Sequence, residues 1–308
     1  MKLTNEQLKS LLKLAVDAAE QAGGYIRAVD REDLHVNGKS TGSSLSTQVV
    51  TDVDLACEKI ILSILQPTIE QYSIAMLSEE NAYQKEANQH ARLTQDYFWC
   101  VDPLDGTLPF IEGVDGFAVS IALVERSGYP LIGVVHNPIT GKTYQALNEP
   151  LLDSSLGSHY LKSWQECTLS LPGSDSLLSF FTDRSFESHP LYAQVIEKLE
   201  MIAEQFGYQG VRIVVGQGAV MSAIGVLEHA PACYFKFPKE AEGGGSLWDF
   251  SATAACAISA KAWVTNIHGQ ALDLNRKDSN FMNHQGVIYA SDPLIAQKIM
   301  DLYKSIAC

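Results

Sequence analysis

One nine-residue stretch, residues 99–107, restricts the fold more than any other part of the sequence. It begins as an apolar strand, which we expect to end at Pro103 because proline lacks the N–H that a central sheet ladder needs. Asp102 and Asp105 are then held close together at a strand end. Two ionised carboxylates in such a position repel each other, and a shared cation or a shared proton relieves the repulsion. A shared cation is the better interpretation.

The two residues that follow suit an anion. Gly106 lets backbone N–H groups approach an anion closely, and Thr107 adds a hydroxyl at the start of a predicted helix, where phosphate binds favourably. The structural alternative is an ordinary Asp-Gly turn followed by a helix cap. By themselves these residues suit the structural alternative better than a catalytic site, but the nine residues taken together are less ordinary.

Composition and charge narrow the classes of partner. The chain has 308 residues, of which 46% are hydrophobic, so it can bury a large core in one large domain or two fused halves. A formal net charge of −14 disfavours nucleic acid and anionic membranes as partners. The first residues lack a signal-peptide pattern and no apolar run could cross a bilayer, so we expect a cytoplasmic protein.

The six cysteines indicate neither disulfides nor zinc. They are scattered singly, without Cys-x-x-Cys or a histidine at zinc spacing. The cysteines at positions 57, 100, 233 and 256 lie in apolar surroundings that are typical of core residues. A catalytic thiol stays open as an alternative, but no cysteine lies in a recognisable nucleophile motif.

The N-terminal half, residues 1–150, is predicted to be α+β. A glycine pair at positions 23 and 24 should end or kink its first helix, and Pro67 should stop the second. The polar segment 34–46 is predicted to be a flexible loop and a candidate lid. A mainly antiparallel sheet is predicted from strands at residues 73–78, 98–101, 117–125, 131–136 and 143–147.

The C-terminal half, residues 151–308, alternates strands and helices more regularly. The boundary between the halves is expected in the serine-rich segment 149–173. From the residues alone, Asp249 is an adequate N-cap of a helix behind the glycine loop 243–245. Strands are predicted at residues 177–181, 211–215, 232–237, 262–265 and 287–290, and helices at 191–206, 218–228, 249–259 and 293–306.

Four segments together resemble the inositol monophosphatase superfamily, the metal-dependent, lithium-sensitive phosphatases that include the 3′(2′),5′-bisphosphate nucleotidases. Residues 99–107 resemble its Asp-Pro-Leu/Ile-Asp-Gly-Thr signature, and residues 248–252 resemble its second signature, Trp-Asp-x-x-Ala. Residues 50–58 resemble Val-Thr-x-x-Asp-x-x-x-Glu, and residues 78–80 resemble the Gly/Ser-Glu-Glu that follows a strand. The resemblance implies a layered α-β-α-β-α sandwich of the inositol monophosphatase/fructose-1,6-bisphosphatase type, with the site in a cleft between the two halves.

The resemblance also implies two or three Mg²⁺ ions and a role for each matched residue. A first ion would be held by Glu79, Asp102, the carbonyl of Leu104 and Asp105. A second would be held by Asp102, Asp105 and Asp249. Asp54, rather than Asp52, and Thr107 would orient the attacking water, and Glu79 would join them as a catalytic residue. The N–H groups of Gly106 and Thr107 would bind the phosphate, with Asp249 also counted among the substrate contacts.

Two further positions bear on the substrate. Lys236 stands where inositol phosphatases tend to have glutamate and bisphosphate nucleotidases a basic residue, and lysine suits a second phosphate. The structural alternative for Lys236 is a solvated lysine at a sheet edge. Ser222 stands where family members often have a lysine or asparagine that contacts the substrate.

These features predict a Mg²⁺-dependent phosphomonoesterase that acts on a small phosphorylated metabolite. The branch that fits best is the bisphosphate nucleotidase branch, which converts 3′-phosphoadenosine 5′-phosphate to AMP and phosphate. Alternatives are an inositol-1-monophosphatase, more remotely a sugar bisphosphatase, and a relative that binds metal without turnover. An acidic structural or interaction protein is the alternative from another class. A homodimer stays open, while nucleic acid and membranes are not expected as partners.

Overall fold

The computed structural model describes residues 2–30, 36–38, 49–82, 86–148 and 176–306. Apart from a short strand at residues 36–38, the predicted lid lies outside the described residues, and so does the whole of the predicted boundary segment 149–173. The division into halves at residue 150 therefore stays a prediction.

The described residues contain seven α-helices and twelve strands. The helices are α1 (Asn5–Ala28), α2 (Asp52–Tyr72), α3 (Thr107–Glu112), α4 (Tyr192–Gln205), α5 (Ala219–Glu228), α6 (Leu247–Ser259) and α7 (Pro293–Ile306). The strands are β1 (Val36–Gly38), β2 (Val49–Thr51), β3 (Ala75–Ser78), β4 (Tyr97–Asp105), β5 (Ala118–Glu125), β6 (Pro130–His136), β7 (Thr143–Leu147), β8 (Leu178–Thr182), β9 (Val211–Val215), β10 (Ala232–Lys236), β11 (Trp263–Thr265) and β12 (Val287–Ala290).

The longer strands form two five-stranded sheets. The first has the order β3-β4-β5-β6-β7 and is antiparallel except where β3 runs parallel to β4. The second has the order β11-β12-β10-β8-β9, in which β8, β9 and β10 are parallel. Strands β1 and β2 pair separately in antiparallel fashion. The mainly antiparallel first sheet agrees with the pattern of closely spaced strands in the sequence.

Alternation along the strands assigns their side chains to different cores. Trp99 and Val101 of β4 lie in a core with α1 and α2, whereas Phe98 and Cys100 lie in a core with α5 and α6. A third core, on the far side of the second sheet, holds residues of α4 and α7. The layers therefore follow the predicted α-β-α-β-α order.

Helix α6 packs very closely on the first sheet, and this contact fixes its position. A Cβ atom at Gly133 of β6 would lie 2.3 Å from the carbonyl oxygen of Ala252 in α6. The Ser120 hydroxyl of β5 donates to the carbonyl of Trp248 at 3.1 Å. The first turn of α6 is thereby held beside the end of β4.

The glycine pair in α1 does not end the helix, although a helix end was one of the two outcomes expected from the sequence. Helix α1 continues through both glycines to Ala28. A Cβ atom at Gly23 would lie 2.2 Å from the His136 ring, so this glycine allows β6 to approach α1. Gly24 has no heavy atom within 4 Å of such a Cβ. The first glycine serves packing rather than helix termination.

The expectation that Pro67 stops α2 is also wrong, because the helix continues to Tyr72. Proline inside a helix removes one hydrogen bond and costs about 3 kcal/mol. The residues around it are well packed: Leu65 is fully buried, and the hydroxyl of buried Thr68 accepts a hydrogen bond from the Trp99 indole at 3.0 Å. Tertiary packing outweighs the local preference here. None of the described helices is long and apolar enough to cross a lipid bilayer.

Candidate active site

Strand β4 does not end at Pro103, as the sequence suggested, but continues to Asp105 through an irregularity. Asp102 pairs with Ser120 and Asp105 pairs with Ala118, so the register shifts between the two aspartates. Proline is tolerated in such a bulge because the ladder is interrupted there anyway. The bulge places both carboxylates, which are buried, at the same end of the strand.

A third carboxylate reaches the same place from α6. One oxygen each from Asp102, Asp105 and Asp249 lie within 4.8 Å of one another. Asp249 is the third residue of α6 and not its N-cap, which corrects the sequence-based interpretation. Ser246 is the N-cap, and its backbone N–H donates to Asp249 Oδ2 at 3.0 Å in a capping box. This hydrogen bond orients the Asp249 carboxylate.

Glu79 approaches the same cluster from β3. Its backbone N–H donates to the Val101 carbonyl at 3.0 Å, which continues the parallel pairing of β3 with β4 one residue beyond the strand. The Glu79 charge is one of the causes that raise the pKa of Asp102. Asp102, Asp105 and Asp249 therefore converge from β4 and α6, and Glu79 lies near enough for its charge to act on Asp102 and Asp105.

The electrostatics of the cluster call for a positive charge. Burial, followed by the charges of Glu79 and Asp105, raises the pKa of Asp102 well above the usual value of 3.8. Burial and the charge of Asp249 raise the pKa of Asp105 in the same way. Burial raises the pKa of Asp249 to about 6. Repulsion among these buried carboxylates therefore favours a shared cation at the cluster.

The donor atoms at the cluster are those of a hard divalent cation. Carboxylate and carbonyl oxygens are the ligands of Mg²⁺ and Ca²⁺, and the trio of aspartates supplies several of them at close range. The Asp102 Oδ1 atom accepts from the Leu104 N–H at 3.0 Å, which fixes the turn that carries the Leu104 carbonyl. The residues present therefore fit a hard divalent cation.

Asp105 also joins the acidic cluster to α5. Its two carboxylate oxygens accept from the N–H groups of Ala219 and Val220 at 3.2 and 3.0 Å. A Cβ atom at Gly218 would lie 2.1 Å from Asp105 Oδ2, so no larger residue fits there without displacing the carboxylate. Sequence analysis did not find this contact, because the two segments are more than a hundred residues apart.

A second hydrogen-bonded pair lies beside the metal ligands. The Thr107 hydroxyl donates to Asp54 Oδ1 at 3.2 Å and lies 3.3 Å from the Leu104 carbonyl oxygen. Both side chains are buried. Gly106 precedes α3 with φ +83°, a left-handed conformation, and a Cβ there would lie 2.8 Å from the Gly116 carbonyl oxygen. The structure thus brings together Asp54 and Thr107, which the sequence predicted to orient water.

Lys236, the predicted substrate residue, is not a solvated lysine. Its ammonium lies 2.7 Å from Asp183 Oδ2, and only 15% of its side chain is exposed. Burial opposes the charge on Lys236, but the carboxylates of Asp183, Asp249 and Asp105 together raise its pKa. Lys236 therefore lies beside the acidic cluster as a cation. Asp183 was not found from the sequence, where it looks like an ordinary loop aspartate.

The other predicted substrate residue, Ser222, is placed differently. It lies in the first turn of α5 and is 1% exposed. Its hydroxyl has no hydrogen-bond partner within the described part of the chain. Tyr234 of β10 is likewise fully buried, and its hydroxyl has none among the described residues. Neither side chain is open to solvent, so direct contact of Ser222 with a substrate stays a prediction.

Comparison with known proteins decides the family. The profile of the Inositol monophosphatase family matches residues 7–306. The chain belongs to the inositol monophosphatase family. This membership confirms the resemblance that the four sequence segments carried, and it confirms the expectation that the chain comes from a family of phosphatases.

Two relatives represent different activities at similar identity. The chain is 34% identical over 144 residues to Inositol monophosphatase 1 of Solanum lycopersicum, which is 47% of this chain and 49% of that protein. It is 33% identical over 137 residues to the 3′(2′),5′-bisphosphate nucleotidase CysQ of Aggregatibacter actinomycetemcomitans, 44% of this chain and 47% of that protein. In both comparisons the chain spans about half the length of the relative it matches.

Two solved structures share the fold of this chain. The extragenic suppressor protein SuhB from Bartonella henselae has a TM-score of 0.64 at 22% identity, covering 96% of this chain and 98% of that one. An inositol monophosphatase from Anabaena has a TM-score of 0.60 at 21% identity, covering 97% and 96%. These likenesses confirm the predicted layered sandwich of the inositol monophosphatase type.

Proposed function

We propose that this chain is a Mg²⁺-dependent phosphomonoesterase whose substrate carries a second phosphate, as a 3′(2′),5′-bisphosphate nucleotide does. The observation that carries the proposal is the placement of Lys236, whose ammonium is buried beside Asp105 and Asp249. The metal ligands would hold the cations that bind the phosphate to be hydrolysed. The lysine provides a cation for the phosphate that stays.

The acidic residues would hold the cations in the way the family resemblance implies. Glu79, Asp102, the Leu104 carbonyl and Asp105 would hold one Mg²⁺, and Asp102, Asp105 and Asp249 a second. When bound, the cations neutralise the charge of the phosphate dianion, acidify a bound water and stabilise the leaving oxygen. The proposal also allows a third Mg²⁺ ion at the same site.

The chain's own polar groups would orient water and phosphate. The Thr107 hydroxyl, fixed between Asp54 and the Leu104 carbonyl, can accept a hydrogen bond from the attacking water while it donates its own hydrogen bond to the Asp54 carboxylate. The N–H groups of Gly106 and Thr107 lie at the turn where β4 meets α3 and are proposed to bind phosphate oxygens. No side chain of the chain needs to form a covalent phosphoenzyme.

An inositol-1-monophosphatase is the second candidate, and one observation favours it. The Asp183–Lys236 pair places an acceptor and a donor side by side, an arrangement that can bind neighbouring hydroxyl groups. The similar identities to a monophosphatase and to a nucleotidase do not separate the two candidates. Sugar bisphosphates remain a more remote alternative.

Initial rates of phosphate release would decide between the candidates. The full chain is assayed with Mg²⁺ on 3′-phosphoadenosine 5′-phosphate, inositol-1-phosphate and fructose-1,6-bisphosphate, with a chelator control. We expect kcat/KM to be highest for the bisphosphate nucleotide. A clear preference for inositol-1-phosphate would reject the first candidate, and the absence of any divalent-dependent release would reject a phosphatase altogether.

Three further expectations belong to this proposal. Lithium should inhibit the reaction, because the family resemblance implies it. The cytoplasmic location and a homodimer stay predictions from the sequence.

A further inference from the structure

The ion pair between Lys236 and Asp183 lies where two parallel strands end side by side. Strands β10 and β8 are neighbours in the second sheet, with Tyr234 opposite Phe181. Two residues further along, β10 reaches Lys236 and the chain leaving β8 reaches Asp183. The carboxyl edge of the sheet thus brings the two charges to 2.7 Å.

The two partners are held differently. The Lys236 side chain is 15% exposed and belongs to a central strand, whereas the Asp183 side chain is 34% exposed and precedes a short 3-10 turn. The Asp183 side chain makes no capping hydrogen bond to that turn. The following Arg184 anchors the turn to α3 through two hydrogen bonds to Glu112, at 2.6 and 2.5 Å. The carboxylate of Asp183 is therefore the accessible and replaceable member of the pair.

Asp183 differs from the other carboxylates that face Lys236. Asp105 and Asp249 also act on the lysine, but both belong to the proposed metal ligands and would be engaged by cations. Asp183 is not part of that trio. In the metal-loaded protein Asp183 is then the carboxylate left to neutralise the Lys236 ammonium.

We infer that Asp183 is a specificity-determining residue: it competes with the second phosphate of the substrate for Lys236. This inference rests on the proposed function. A phosphate dianion can replace a carboxylate at an ammonium, whereas a neutral hydroxyl cannot do so at comparable cost. Asp183 thereby reduces the gain in kcat/KM that a second phosphate gives the substrate. Replacing Asp183 should increase that gain.

The test compares two substrates that differ only in the second phosphate, 3′-phosphoadenosine 5′-phosphate and 3′-AMP. The ratio of their kcat/KM values isolates the contribution of that phosphate. It is measured with Mg²⁺ for the wild type, Asp183→Asn, Lys236→Met and the double variant. Asp301→Asn, which removes an exposed carboxylate from α7, is the matched control. Thermal melting of each protein checks that it is folded.

We expect Asp183→Asn to raise the ratio about tenfold, mainly through a lower KM for the bisphosphate. Lys236→Met should bring the ratio towards one. The double variant should match Lys236→Met within about twofold, since Asp183 acts through that lysine. Asp183→Glu, which keeps the charge, should stay within about threefold of the wild type, and the control should leave the ratio unchanged.

Other outcomes would overturn the inference. A ratio that falls in Asp183→Asn would mean that the carboxylate positions Lys236 instead of competing for it. Asp183→Asn could also raise the ratio equally in the wild type and in the Lys236→Met background. In that case Asp183 would act through the overall electrostatic field of the site and not through Lys236. If the wild type hydrolyses both substrates but the ratio does not move, the inference fails alone. If no variant releases phosphate from either substrate, the proposed function fails with it.

Discussion

The contact between Gly218 and Asp105 gives a sharp prediction about catalysis. Gly218 precedes α5 with φ −63° and ψ 166°, which alanine adopts without strain. Gly218→Ala therefore adds one methyl group without straining the local backbone. That methyl carbon would lie 2.1 Å from Asp105 Oδ2 and 2.9 Å from the Gly106 Cα atom.

The structure sets the size of the effect. Because backbone closes the other side, the Asp105 carboxylate has to move by about 1 Å to restore van der Waals contact. A displacement of that size at a catalytic group costs on the order of 100-fold in rate. The move also stretches the hydrogen bonds from Ala219 and Val220, which are worth about 1.5–3 kcal/mol each to a charged acceptor.

The assay measures kcat and the Mg²⁺ concentration for half-maximal phosphate release, with thermal melting as a check on folding. We expect kcat to fall about 100-fold and the required Mg²⁺ concentration to rise, in a protein that still melts cooperatively. Gly24→Ala is the matched control, because nothing lies within 4 Å of its added methyl group. It should leave turnover unchanged and stabilise α1 by up to about 1 kcal/mol. Wild-type activity in Gly218→Ala would refute the role given to the Asp105 position.

Three other predictions follow from the acidic cluster. Asp105→Asn should abolish Mg²⁺-dependent phosphate release while the protein stays folded, as turnover and circular dichroism would show; unchanged turnover contradicts its role. At neutral pH, Mg²⁺ at about 100 times its Kd should stabilise the fold by about 2.7 kcal/mol, measured as a higher Tm, and Asp249→Asn should reduce the gain. Without metal, the raised pKa of Asp249 means that the folded state binds more protons than the unfolded state between pH 3.8 and about 6. The Tm of the metal-free wild type, measured relative to that of metal-free Asp249→Asn, should therefore fall as pH rises through that window, and a relative Tm that rises would count against the buried cluster.

Local sequence patterns were sufficient for much of the site. The turn that carries Asp102, Asp105 and Gly106 is encoded in consecutive residues, so the sequence alone indicated a strand end with converging carboxylates. Asp249 was assigned to the site because residues 248–252 resemble the second signature of the family. Its place as the third helical residue was missed, since Ser246 is an equally good cap in the sequence.

Contacts between distant segments could not be predicted in this way. Nothing near Asp183 in the sequence indicates that it pairs with Lys236, because the pair exists only where two parallel strands end together. Gly23 looked like a helix terminator, yet its reason lies in the His136 ring from another strand. Pro67 failed as a stop signal because packing against the sheet outweighs one lost hydrogen bond.

The central claim is that acidic groups from β3, β4 and α6 hold divalent cations at one place. Anomalous diffraction from crystals soaked in Mn²⁺ tests it directly. We predict a peak within about 2.6 Å of carboxylate oxygens from Asp102, Asp105 and Asp249. Saturating Mn²⁺ with no peak among these three residues would contradict the account.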